Sequence, residues 1–306
     1  MTKQNVYEEV TNQIISLLEQ GQIPWHKPWT GGADGAYSWH TGRPYSLLNQ
    51  LILVEPGEYI TFDECRKNGG HIKKGAKAKH VYLWKPYKRQ ATDEDGNPKT
   101  DEEGNPVMIT RFMLRCWPVF HVTNDCEGIK PKRSALLPEV PAKPIEAAEE
   151  ALRAYVEREG IRLEADEISS RAYYSPANDL INLPCIAQFA DPAEYYSTAY
   201  HEATHSTGHP SRLHRFELFN KNAAFGSEQY SKEELTAEIG AACILHRLGI
   251  GTPASIKNSA AYIQGWLKAL KDDKQLIIGA AARAEKAVRL ILNLEEGETA
   301  SEAAEG

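Results

Sequence analysis

His201-Glu202-Ala203-Thr204-His205, led in by Tyr195-Tyr196-Ser197-Thr198-Ala199-Tyr200, decides how the C-terminal half of the chain is read. Residues four apart on a helix lie on one face, so both imidazoles can reach one ion. Glu202 projects beside them and can serve as the general base that takes a proton from an attacking water. A chain with this chain's 10 His in 306 residues shows the pattern by chance about once in thirty. The bland alternative is a surface helix with incidental histidines. The tyrosine-rich lead-in argues against it, because it reads as a buried helix face.

A catalytic site of this kind needs a third protein ligand. Two patterns compete. In the first, a glycine follows the second histidine by three residues and a third histidine follows by three more. Gly208 fits, but Ser211 stands in the last position, and His209 and His214 are wrongly spaced. In the second, a downstream helix supplies a glutamate. Glu234 and Glu238 share one face of the helix expected there, while Glu233 points to the side. Glu234 is the favoured ligand and Glu238 its rival. Glu238 otherwise accepts a hydrogen bond from a ligand histidine. An exposed charged face is the plainer reading of all three glutamates. Two imidazoles and one carboxylate suit a single zinc or manganese ion. The strand Leu180–Pro184 is either placed to hold an extended substrate or is an ordinary core strand.

Around this motif the periodicity predicts a helix over 145–160, extended segments at 171–175 and 180–184, and three helices at about 192–208, 231–248 and 255–292. The small, acidic tail after Leu294 is expected to be disordered. Pro131, Pro138, Pro141 and Pro144 mark a linker.

The first half has a different chemistry. A helix is predicted over 5–20, and a second over Tyr45–Val54. A short third helix is capped by Thr61, with Glu64 three residues on. His80–Trp84 reads as a strand paired with Phe112–Val122, with an acidic excursion and two turns at Asp95–Pro98 and Glu103–Pro106 between them. From Arg66 to Arg89 there are nine Lys or Arg and no Asp or Glu, although the whole chain carries −7. Uncompensated charge of this density repels itself without a partner. Phosphates need cations and unpaired bases need aromatic faces. Lys73, Lys74, Lys77 and Lys79 with Trp84, and upstream Trp25, Trp29, Arg43 and Tyr45, offer the mixture that a single-stranded-DNA binder needs. The competing reading is a solvated lysine face over a core that uses the tryptophans for packing.

Composition bounds the rest. The chain is 42% hydrophobic and 25% charged, a soluble globular profile, with no apolar run long enough to span a membrane. Its five cysteines are odd in number, widely spaced and without a C-x-x-C pair, which excludes a cysteine-rich zinc module and favours reduced thiols. A cytoplasmic protein without a membrane partner is expected. The fold class expected is α+β, with a small N-terminal nucleic-acid-binding domain (1–126), a Pro-rich linker (127–144), a mainly helical metal-binding domain (145–294) and the tail (295–306).

Several motifs resemble a known family. They are Ile23-Pro24-Trp25-x-x-Pro28-Trp29, Thr41-Gly42-Arg43-Pro44-Tyr45, Gly69-Gly70-His71-Ile72-Lys73-Lys74-Gly75 and Val119-Phe120-His121-Val122 in the first half. In the second they are Tyr173-Tyr174-Ser175, Asp179-x-Ile181-x-Leu183-Pro184, the His-Glu motif through Arg212-Leu213-x-Arg215, and Tyr230-x-x-Glu233-Glu234-Leu235-x-Ala237-Glu238. Together these resemble the ArdC antirestriction proteins of conjugative plasmids and the related N-terminal region of plasmid primases, over nearly all of residues 5–290. The resemblance implies a single-stranded-DNA-binding N-terminal domain and a zincin-like, Spartan-type metallopeptidase domain. It implies His201, His205 and Glu234 as ligands and Glu202 as base. It also implies that the protein shields incoming DNA from restriction, with DNA-associated or restriction-related host proteins as further partners. The rival from another class is a non-enzymatic DNA-coating factor whose metal site is only structural.

Overall fold

The computed structural model describes residues 6–20, 23, 35–53, 55–92, 97–101, 103–132, 143–189, 191–216, 228–251 and 259–294. The chain is α+β, with strands gathered in the first half and helices in the second. Helix α1 (Val6–Glu19) buries Val10, Ile14, Ile15 and Leu18, the stripe its 3.6-residue period predicts. Strand β1 (Ala36–Ser38), helix α2 (Leu47–Ile52), strand β2 (Gly57–Ile60) and helix α3 (Phe62–Lys67) follow. Thr61 caps α3, its side chain accepting from the Glu64 amide. Beyond the two-residue β3 (His71–Ile72), two long strands, β4 (Lys79–Gln90) and β5 (Met108–His121), form an antiparallel ribbon. The four-stranded sheet runs β1-β2-β5-β4. The ribbon is far longer than the five-residue strand expected at His80–Trp84. The excursion continues it: Ala91 donates to the Val107 carbonyl and accepts from the Lys99 amide, both at 2.7 Å. Asp101 closes the second turn by accepting from the amides of Glu103 and Asn105. The first turn lies partly outside the described residues.

The one-turn helix α4 (Val122–Asp125) leads into β6 (Cys126–Glu127), which pairs with β3. Residues just beyond remain tied to the β1–β2 side of the four-stranded sheet. The Lys130 carbonyl accepts from the Trp39 indole at 2.9 Å, and the Lys132 amide donates to Glu58 at 2.7 Å. Most of the expected linker, 133–142, lies outside the described residues, as does the acidic tail.

Helix α5 (Pro144–Glu159) starts on a proline and ends at Gly160, whose φ of 68° is the left-handed value that favours glycine. Strands β7 (Arg162–Glu164), β8 (Tyr173–Ser175) and β9 (Leu180–Asn182) form a small sheet in the order β7-β9-β8. Then come α6 (Pro192–Ser206), α7 (Glu228–Arg247), α8 (Ser259–Asp272) and α9 (Leu276–Leu292). The single helix expected over 255–292 is therefore two. The chain breaks at the charged run Lys271-Asp272-Asp273-Lys274, where Asp273 accepts from the Gln275 amide at 2.8 Å. The break frees α9 to enter the core, where Leu276, Ile277, Ile278, Ala280, Ala281, Ala284, Ala287, Val288 and Ile291 are buried.

One large hydrophobic cluster joins α1, α2 and the inner end of the ribbon (Tyr82, Leu114) to α5, α6, α7, α8 and α9. Helices α1 and α2 thus precede the division proposed near residue 126 yet pack with the helices that follow it. A smaller cluster, with Tyr45, Tyr59, Val81 and Val119, fills the other side of the sheet. The five cysteines are free thiols.

Candidate metal centre and candidate nucleic-acid interface

Helix α6 starts at Pro192, with Asp191 accepting from the Ala193 amide at 2.9 Å. Tyr195, Tyr196, Ala199, Tyr200 and Ala203 are buried, as the lead-in predicts. This fixes the rotation of the helix, so His201 and His205 emerge toward α7. Their Nε2 atoms stand 3.1 Å apart. Glu234 of α7 reaches both, at 3.6 Å from His201 Nε2 and 3.4 Å from His205 Nε2. A tetrahedral ion bound at about 2.0–2.1 Å separates neighbouring donors by about 3.3–3.4 Å. The three side chains therefore suit one such cation without rearrangement. Burial alone would raise the Glu234 pKa, but hydrogen bonds from both histidines overcome it and hold the carboxyl well below its usual range. Burial alone would likewise lower the pKa of His205. Glu233 and Glu234 outweigh it and raise it, so the pocket favours positive charge.

The backs of both rings are held by carboxylates. Glu238 lies 3.7 Å from His201 Nδ1, and Glu233 lies 3.4 Å from His205 Nδ1. The expectation that Glu233 points aside is corrected here. It is buried at 7% exposure and grips Arg215, at 2.7 Å from Nη2. Arg215 also donates to the Thr207 hydroxyl and the Thr204 carbonyl, at 2.6 and 2.8 Å. Arg212, three residues earlier, donates to the Ser206 carbonyl at 2.8 Å and forks onto Asp179. Sequence reasoning missed this pair of arginines as site residues. Their signal was the R-L-x-R run just past the motif, which ties the loop after α6 to both α7 and the sheet. Glu202 is buried at 9% exposure beside the histidines.

Close approach of α6 to α7 depends on Gly240. A Cβ there would meet Thr204 Cγ2 at 2.7 Å and Oγ1 at 2.8 Å. Thr204 cannot yield, being fully buried with its hydroxyl donating to the Tyr200 carbonyl at 2.7 Å. Alanine gains about 1 kcal/mol of helix propensity over glycine, but overpacking costs about 1–3 kcal/mol. Gly240→Ala is therefore expected to destabilise the protein and weaken metal binding, read by denaturant titration with and without added ion. A more stable variant with unchanged metal affinity would contradict the packing argument.

The strand Leu180–Pro184 is not an available edge. Its residues 180–182 form the central strand of their sheet, and Leu180, Ile181 and Leu183 are buried. The open edge beside α6 is β8, where Tyr173 is exposed.

The residues expected at DNA are dispersed. Trp25 and Trp29 lie outside the described residues. Tyr45 is corrected: it is buried at 7% and packs edge-on to Tyr59, so its ring is closed to a base. Lys79 pairs with Glu55 and lies over the Tyr59 ring. The Lys73 ammonium donates to the Thr123 and Asn124 carbonyls near the end of α4. Arg43, Lys74 and Lys77 are exposed. Trp84 is exposed too, but the pleat puts it on the face opposite Lys79. Register shows what the sequence hid. Leu83 faces Arg115, Lys85 faces Met113, Tyr87 faces Arg111 and Arg89 faces Ile109, all on one side of the ribbon. That face carries Lys85, Arg89, Arg111 and Arg115 around Tyr87. Arg111 and Arg115 belong to the partner strand and fall outside the basic run.

Residues 150–283 match the family model described as a zincin-like metallopeptidase (MPTase-PolyVal). Residues 4–120 match the N-terminal domain of the anti-restriction factor ArdC. The chain is 34% identical, over 96% of its length, to a DNA primase TraC of Escherichia coli, of which it spans 28%. It superposes on the metal-free crystal structure of the antirestriction ArdC protein from plasmid R388 with a TM-score of 0.70 at 31% identity, covering 95% of this chain and 98% of that one. The Mn(II)-bound structure of the same protein gives 0.68, with the same identity and coverage. The zincin-like match and the manganese-bound relative support a divalent metal ion as cofactor. No helix among the described residues is long and apolar enough to cross a membrane.

Proposed function

We propose, from the premise that this chain belongs to the ArdC antirestriction family, that it binds single-stranded DNA without sequence preference and carries a metal-dependent peptidase-like centre, so protecting incoming DNA from host restriction. The observation that carries the peptidase half is the convergence of His201, His205 and Glu234 at donor spacings that suit one ion. Those three residues would hold zinc or manganese. When bound, the ion supplies Lewis-acid polarisation of a peptide carbonyl and its attacking water. Glu233 fixes the His205 ring by accepting from its Nδ1 at 3.4 Å, and Glu238 faces the His201 Nδ1 at 3.7 Å, a charge contact that favours the same orientation. Glu202 takes the proton from the water and passes it to the leaving amine. The open edge of β8 would hold the peptide extended beside α6. Proteins associated with the DNA are the substrates that such a pairing of activities would meet.

A purely structural ion is disfavoured. This fold matches the metal-free and manganese-bound forms of the relative about equally, at 0.70 and 0.68. A structural ion is usually needed to fold its domain.

For DNA, the Tyr87 face of the ribbon is the proposed contact. Charge reversal at Lys85, Arg111 and Arg115 is expected to weaken binding to all oligonucleotides alike and to flatten the dependence of affinity on salt. Tyr87→Ala should lose about 1–3 kcal/mol of stacking while Trp84→Ala loses little. Fluorescence anisotropy across a salt series tests both. A sequence-selective loss, or a larger effect at Trp84, would reject this face, and no binding even at low salt would reject the DNA half.

A further inference from the structure

Outside the centre above, one other group of side chains among the described residues brings metal-binding atoms together. Glu9 on α1, His80 on β4 and Cys116 on β5 each offer a donor atom, and the three atoms lie within 4.8 Å of one another. His80 Nδ1 is hydrogen-bonded to a Glu9 carboxylate oxygen at 2.6 Å, closer than the about 3.3–3.4 Å between two donors of one ion, so an ion here would open that pair. The ribbon register explains the juxtaposition. His80 lies opposite Pro118 and Tyr82 opposite Cys116, so His80 and Cys116 are diagonal neighbours on one face. Helix α1 lies over that face and brings Glu9 to both.

A histidine–carboxylate pair beside a packed cysteine would account for these contacts alone. It leaves Tyr82 unexplained. Tyr82 projects from the same face, directly across from Cys116, and is 1% exposed. Its phenolic oxygen is buried close to Glu9 and Cys116 but makes no hydrogen bond of good geometry among the described residues. A buried hydroxyl left without a well-formed hydrogen bond is costly. Burial raises its pKa, and Glu9 and Cys116 add to that rise, so it sits beside the same side chains.

We propose that Glu9, His80 and Cys116 form a second cation site, suited to zinc or another thiophilic divalent ion, which fastens α1 to the β4–β5 ribbon. One carboxylate oxygen, one imidazole nitrogen and one thiolate form a mixed donor set that zinc takes readily and manganese does not. The Tyr82 hydroxyl would then have a ligand or a bound water to pair with. Binding releases the Cys116 thiol proton to solvent as the sulfur–metal bond forms. Burial pushes that thiol up to about 11, so in the absence of the ion it is a neutral thiol. Because α1 also packs against α8 and α9, an ion here would tie the DNA-facing ribbon to the helical body.

The test uses the full chain and cobalt(II), with absorbance as the readout. The His201–His205–Glu234 centre contains no sulfur, so a thiolate-to-cobalt charge-transfer band in the near ultraviolet cannot come from it, and Cys116→Ser separates the Cys116 band from any given by the other four free thiols. The band is expected to appear on titration and to be displaced by zinc. It should vanish in Cys116→Ser, and His80→Ala should weaken cobalt binding at least about tenfold. Circular dichroism checks that each variant is folded. Absence of the band in the wild-type chain, or its survival in Cys116→Ser, overturns the proposal. Should Cys116→Ser fail to fold, alkylation of Cys116 in the wild-type chain decides, mapped by mass spectrometry. Zinc must slow it, and an unchanged rate overturns the site.

Discussion

Glu202→Gln is expected to bind the divalent ion and single-stranded DNA as tightly as the wild type, while any peptide hydrolysis falls by about 10²–10⁴-fold, the usual contribution of a positioned general base. The substitution keeps the shape of a side chain that is only 9% exposed and removes its ability to take a proton. It leaves His201, His205 and Glu234 untouched, so metal content measured by mass spectrometry should not change. A fluorogenic or DNA-tethered protein substrate reads the activity. Undiminished turnover would remove Glu202 as the base. Antirestriction that survives in this variant would favour the DNA-coating rival over a protease.

Arg215→Ala is expected to destabilise the protein by about 3–5 kcal/mol, the range for breaking a buried ion pair from one side. Arg215 is 4% exposed and reaches both Glu233 oxygens, at 2.7 and 3.3 Å, as well as Thr207 and Thr204. Without it the Glu233 carboxylate stays buried and loses its nearest cation, leaving the His205 ring and the Arg283 guanidinium to answer its charge. Burial alone would raise the Glu233 pKa, while the His205 ring and the Arg215 guanidinium hold it below its ordinary value. A depressed carboxylate stabilises the fold fully at neutral pH and loses that contribution as pH falls below about 4. The variant should therefore show a flatter acid limb as well as a lower denaturation midpoint in chelator. Metal affinity should fall about 10–100-fold, because the Glu233 carboxylate would lose the guanidinium fork that fixes its orientation behind His205. Arg215→Lys should recover part of the stability but not the fork. A midpoint unchanged within about 0.5 kcal/mol would show that the pair is incidental.

Local periodicity carries some of these features and not others. Two histidines four apart on a helix share a face whatever surrounds them, and the apolar stripe of α1 and the Thr61 cap follow from spacing just as directly. The choice among Glu233, Glu234 and Glu238 does not. It depends on how α7 is rotated against α6, which the Gly240–Thr204 contact and the Arg215 grip on Glu233 decide. Tyr45 is similar: its aromatic character was plain, but only packing against Tyr59 shows that its ring is enclosed.

The amino-acid sequence by itself determined the α+β class, the His-Glu motif and its helix, the basic run from Arg66 to Arg89 and the family to which the chain belongs. Each is written in residue type and short-range spacing. Tertiary structure decided which glutamate meets the histidines, which ribbon face gathers Arg111 and Arg115 with Lys85 and Arg89, where the last long helix breaks, and that Glu9 meets His80 and Cys116. Those outcomes rest on strand register, helix rotation and contacts between residues far apart in the chain, and they are set by what packs together.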